Sequence, residues 1–85
     1  MLRISPMEST DSAVILRLEG QVIGPWVDEL KRSCEGVLAT GAKVILDLSE
    51  VWFVDRSGVE LVRSLVNRHV ALLNCSRFVA EQLKA

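Results

Sequence analysis

The stretch Val44-Ile-Leu-Asp-Leu-Ser-Glu-Val-Trp-Phe-Val-Asp-Arg-Ser-Gly58 constrains this chain more than any other. Val44, Ile45 and Leu46 form a continuous apolar run rich in β-branched residues, the pattern of a strand buried on both faces. A short loop carrying Trp52 and Phe53 follows, leading to Asp55-Arg-Ser-Gly58. From Val59 the period becomes helical, with Val59, Val62, Leu65, Val66 and His69 on one side. Strand, polar turn and helix in that order place a hydroxyl, a carboxylate and a guanidinium at a helix N-terminus. Free backbone N–H groups and the helix dipole favour negative charge there.

The flanking sequence supplies the rest of an α/β domain. Leu2-Arg-Ile4 alternates before Pro6, which predicts a short first strand. Glu8 to Ser12 is a cluster of turn formers, and Ala13 to Leu18 reads as a second strand closed by Gly20. Gly24-Pro25 suits the N-cap and first turn of a helix. That helix buries Val27, Leu30, Cys34, Val37 and Leu38 and stops at Thr40-Gly41. After the central strand and second helix, Val70 to Leu73 reads as another buried strand. Ser76 caps a last helix whose apolar residues are Phe78, Val79 and Leu83. The order β-β-α-β-α-β-α implies about four strands in a mixed sheet, with parallel pairing across the two helical crossovers.

Composition removes several function classes. With 85 residues, 49% hydrophobic and 25% charged, the chain makes one small domain (residues 1-85) able to bury a core. A net charge of −1, with no basic stripe, argues against nucleic-acid binding. The apolar runs are too short to span a bilayer, and the N-terminus lacks a signal-peptide pattern, so a cytoplasmic location is expected. Cys34 and Cys75 lack metal-ligand spacing and read as reduced, buried thiols. No phosphate-cradling glycine loop, paired carboxylates or nucleophile pattern appears around the lone His69, so neither catalysis nor a cofactor or metal is expected. Asp47 is expected to bind backbone N–H groups at the end of its strand.

The Asp55–Gly58 turn admits two frames. In one, Ser57-Gly-Val-Glu60 is a capping box, and the hydroxyl is a stabilising device worth ~1 kcal/mol. In the other, Asp55 is the N-cap, Val54 and Val59 form a hydrophobic staple, and the Ser57 hydroxyl is free to carry a phosphoryl group beside Arg56. Spacing alone leans to the first. Trp52 and Phe53 are candidate partner contacts, with Phe53 the better candidate for plugging the sheet end. Trp26 divides evenly between core and surface.

Leu16-Arg-Leu-Glu-Gly20, then a helix, then Gly41 to Val59 with its leucine-aspartate-leucine-serine and aspartate-x-serine-glycine elements, resembles the STAS domain from about Ala13 to Leu83. That family includes the bacterial anti-sigma factor antagonists. The resemblance implies a non-catalytic module that binds a partner-switching anti-sigma factor and serine kinase. It aligns Ser57 with the serine such a kinase phosphorylates, which breaks the complex. The partner-binding surface it implies comprises Trp52, Asp55, Arg56 and Gly58, with Ile23 and Gly24 alongside. The alternative within the family is a constitutive subunit gripping a cytoplasmic ATPase, as in an ABC-type lipid-transport complex.

Three features depart from the family pattern. Ile23 stands where an acidic residue is frequent, and Arg56 where serine or threonine is common. The chain also stops at Ala85, before the strand and helix that antagonists usually add. The last departure leaves apolar surface less covered, which favours a homodimer or a permanent partner.

Overall fold

Two parallel crossovers decide the architecture of the computed structural model, which describes residues 1–10 and 12–84. The elements are β1 (Leu2–Ser9), β2 (Ala13–Val22), α1 (Pro25–Leu38), β3 (Lys43–Val54), α2 (Arg56–Asn67), β4 (Ala71–Leu73) and α3 (Arg77–Lys84). They form a four-stranded sheet in the order β1-β2-β3-β4. β1 is antiparallel to β2, while β2–β3 and β3–β4 are parallel. Successive right-handed crossovers that advance in one direction leave their helices on one face of the sheet. Accordingly α1 packs on β2, β3 and α2, and α2 packs on α3. The order and mixed pairing are those expected from the sequence.

One apolar layer lies between sheet and helices. β2 contributes Leu16, Leu18 and Val22; β3 contributes Val44, Leu46, Leu48, Val51 and Val54. Leu30, Cys34, Val62, Leu65 and Val79 meet them from the helices, and no polar side chain is buried among the described residues. Val44 and Leu46 are therefore buried as expected, but Ile45 is only half-buried. It points to the helix-free face, where Ile15 is its neighbour across the parallel ladder. The same face carries the Arg17–Glu50 pair at 3.4 Å. Asp47 accepts from the Ser49 N–H at 3.0 Å and from the Asn74 amide at 3.3 Å. The Ser49 backbone bond is the main reason its carboxyl lies below the usual aspartate value.

Several local expectations require correction. β1 does not stop at Pro6 but runs to Ser9, with a register irregularity between Pro6 and Glu8. Proline is tolerated because β1 is an edge strand and the ladder is already broken there. Its extension takes Glu8 and Ser9 out of the expected turn cluster, of which Asp11 lies outside the described residues. β2 continues through Gly20 to Val22. Trp52 and Phe53 lie within β3 rather than in a loop. β4 is a three-residue edge strand with Leu73 exposed, and Val70 before it is the buried residue. In α2 the buried stripe runs through Gly58, Val62 and Leu65, which leaves Val66 exposed. His69 lies beyond the helix with φ 70°. Phe78 is 59% exposed although Val79 is fully buried. Ser76 caps α3 as expected, its Oγ accepting from the Val79 N–H at 3.2 Å.

No helix among the described residues is long and apolar enough to cross a membrane. No cluster of His, Cys, Asp and Glu among them is arranged to hold a metal. Cys75 is half-buried, whereas burial pushes the Cys34 thiol up to about 11. Two outcomes follow from this core. Leu46→Ala should cost about 2–5 kcal/mol, read from urea denaturation at constant m-value, because Leu46 is fully buried between sheet and helices. Cys34 should resist a thiol-specific reagent at neutral pH under native conditions and react once urea unfolds the chain.

Candidate functional site

The end of β3 carries its chain direction straight into α2, and Asp55 is the joint. With φ −80° and ψ −179° it is extended, as an N-cap residue must be, and its carbonyl accepts from the Val59 N–H at 2.8 Å. The two carboxylate oxygens do different work. Oδ1 accepts from the Gly58 N–H at 2.8 Å, satisfying one of the free donors of the α2 first turn. Oδ2 accepts from the Gly24 N–H at 2.9 Å, at the start of α1. A single negative group thus sits at the N-termini of two helices, where both dipoles favour it.

The loop before α1 is built to receive that bond. Gly24 is the N-cap of α1 and has φ 53°, a left-handed conformation that glycine adopts without strain. It offers no side-chain cap, so the Asp55 carboxylate reaches across from the other helix. The Asp55 N–H donates to the Val22 carbonyl at 3.1 Å, drawing the two βα junctions together. Gly58 is required by that approach. A Cβ there would lie 2.6 Å from both the Val22 carbonyl oxygen and a Val54 methyl.

The turn is therefore in the Asp55 frame, not the Ser57 capping box. Glu60 does not reach back to Ser57 but faces Arg56 across one helical turn, Nε to Oε1 3.7 Å, with both side chains largely in solvent. Such a pair contributes little to stability. Val54 and Val59, the expected staple, line one cleft together with Asp55, Arg56 and Gln82. Ser57 is exposed in the first turn of α2, and its hydroxyl is not needed as a cap.

Of the residues singled out in the sequence, Ile23, Gly24, Asp55, Arg56, Ser57 and Gly58 come together at the two junctions. Ile23 is half-buried, and its carbonyl accepts from the Trp26 N–H at 3.1 Å. Trp26 packs against the core from the start of α1. Trp52 stands apart from the cleft. It is the unpaired residue of a β3 irregularity, since Gly20 pairs with Val51 and Gln21 with Phe53, and it is 62% exposed. Phe53, opposite Gln21, is also exposed rather than plugging the sheet end. Gln82, a residue that the sequence pattern does not mark, joins the site from α3. Its Oε1 accepts from the Val54 N–H at 3.2 Å and its Nε2 donates to the Val54 carbonyl at 2.8 Å. A polar residue on a predicted helix carries no sequence signal for a backbone partner so far away along the chain.

The two capping frames make opposite predictions for a pair of alanine variants. Asp55→Ala should lower stability by about 1–2 kcal/mol, as loss of an N-cap does. Ser57→Ala should change it by less than ~0.5 kcal/mol, as at an ordinary surface position. Urea denaturation of both variants beside the wild type checks the order; a larger loss for Ser57→Ala would restore the capping box.

Solved structures share this fold. The chain aligns with the unphosphorylated form of the anti-sigma factor antagonist SpoIIAA at 24% identity and a TM-score of 0.72, covering 96% of this chain and 82% of that one. An antisigma-factor antagonist STAS domain from Rhodobacter sphaeroides aligns at 19% identity and a TM-score of 0.62, covering 91% and 94%. At these identities the likeness establishes the fold. No curated protein matches the sequence. The STAS domain family model matches residues 5–85, nearly the whole chain and all of the two junctions just described. The chain belongs to the STAS domain family.

Proposed function

We propose that this chain is a non-catalytic protein-binding module of the anti-sigma factor antagonist kind. In this reading it binds an anti-sigma factor with serine kinase activity in the bacterial cytoplasm and is released when Ser57 is phosphorylated. The observation that carries the reading is the position of Ser57. It lies exposed in the first turn of α2, while Asp55 performs the capping. Ile23, Gly24 and Arg56 adjoin it and form the partner-facing surface, with Gly58 buried beneath them as support and the exposed Trp52 a separate contact on β3.

The chemistry of the switch follows from that position. Phosphorylation would replace a neutral hydroxyl with roughly two negative charges. At the N-terminus of α2 the dipole and the adjacent Arg56 offset that charge, so the domain itself stays folded. Pressed against a partner shaped for a hydroxyl, the same dianion must be desolvated and meets any facing carboxylate, which breaks the complex.

Paired pull-downs from the native host with wild type, Ser57→Ala and Ser57→Asp as baits test the proposal. Wild type and Ser57→Ala should both capture a serine kinase, identified by mass spectrometry, and ATP should release only the wild type. Ser57→Asp should capture none while keeping the wild-type circular dichroism spectrum. Capture of the kinase by Ser57→Asp at near wild-type affinity would overturn the switch. Capture of a transport ATPase by all three baits would instead assign a constitutive subunit of an ABC-type lipid-transport complex.

A further inference from the structure

β3 outruns its neighbour. β4 pairs with it only at Ile45, Leu46 and Asp47, whereas β3 continues to Val54. Beyond Asp47 the open side of β3 faces α3, and at Val54 the Gln82 side chain takes up the backbone groups that a strand would otherwise pair. A primary amide can do this because its terminal oxygen accepts and its NH2 donates, side by side at the end of one side chain. The Oε1 and Nε2 contacts at 3.2 and 2.8 Å reproduce both halves of a strand pairing.

The peptide group between Val54 and Asp55 is thereby held at both ends. Its carbonyl accepts from Gln82 Nε2, and its N–H, that of Asp55, donates to the Val22 carbonyl at 3.1 Å. A peptide unit is planar, so fixing both ends fixes the orientation of the plane entering Asp55. That orientation aims the Asp55 carboxylate at Gly24 and Gly58. From these contacts we infer that Gln82 is a positioning residue for the Ser57 turn: α3, through one side-chain amide, holds in shape the surface that β2, α1 and α2 present. The inference deepens the proposed function and rests on the reading of that turn as the functional surface.

α3 has other anchors, so removing the amide does not release the helix. Val79 is fully buried, Ser76 caps the first turn, and Arg63 Nε from α2 donates to the Leu83 carbonyl at 2.9 Å. Gln82 can thus be altered while α3 stays docked.

Amide hydrogen exchange and chemical shifts of the isolated domain, followed by NMR, test the inference without any partner. Its failure is therefore separate from failure of the kinase-binding reading. In Gln82→Met, similar in length but unable to make either bond, the amides of Val54, Gly58 and Gly24 should all exchange faster. At Gly58 and Gly24 the acceleration should be about tenfold, the scale of one lost hydrogen bond. Leu18 and Leu46 amides should stay within about twofold of wild type, since core opening is a separate event. Gln82→Glu keeps the acceptor for the Val54 N–H but loses the donor, and should fall between the two. Phe78→Ala, on the same helix, should leave Gly24 and Gly58 unchanged. Acceleration confined to Val54, or spread equally to Leu18 and Leu46, would overturn the inference.

Discussion

The Asp55 carboxylate, held between the Gly58 and Gly24 amides, is the contact on which the two strand–helix junctions of this domain depend. Each junction of strand and helix leaves backbone donors without partners, and two such junctions side by side concentrate that deficit at one end of the sheet. A single carboxylate, placed at the last position before α2, serves both. Its backbone contributes further: the N–H ties β3 to the end of β2, and the carbonyl closes the first turn of α2. Gly24 and Gly58 are the complements of this residue. The first adopts a conformation that turns its amide toward the carboxylate, and the second leaves room for α2 to approach the Val22 carbonyl.

This division of labour frees Ser57. Had serine been the cap, a group added to its oxygen would have competed with the helix for the same donor. With Asp55 in that role, the hydroxyl faces solvent at a place where the helix tolerates negative charge. The capping role and the proposed modification site then rest on neighbouring residues rather than on one. The weak, exposed Arg56–Glu60 pair leaves the guanidinium free to meet other anions.

Rigidity behind the turn comes from the apolar layer. β3 supplies its middle, and helices on only one face leave the other face to Ile15, Ile45 and charged pairs such as Arg17–Glu50. α3 closes the remaining open side of β3, with Val79 seated in the core and Gln82 substituting for a strand neighbour. The short β4 is sufficient because α3 takes over where it ends.

The element order, the parallel crossovers and the Gly24-Pro25 and Ser76 helix starts were legible in the sequence, because each depends on local chemistry: period, capping and proline geometry. So was the strand–turn–helix geometry of the candidate site, since β3, Asp55 and α2 are built from consecutive residues. The chain alone could not decide which of Asp55 and Ser57 caps α2. Both satisfy the spacing, and the deciding bond, from Gly24 to Asp55, joins residues from different junctions. Nor could it place Pro6 in a strand, Trp52 and Phe53 within β3, or Phe78 and Val66 in solvent, because each depends on which edge or face another element covers. Gln82 is the limiting case. Local sequence determined that it lies on a helix, and only the tertiary structure set that helix against an unpaired strand end, where an amide serves as the missing neighbour.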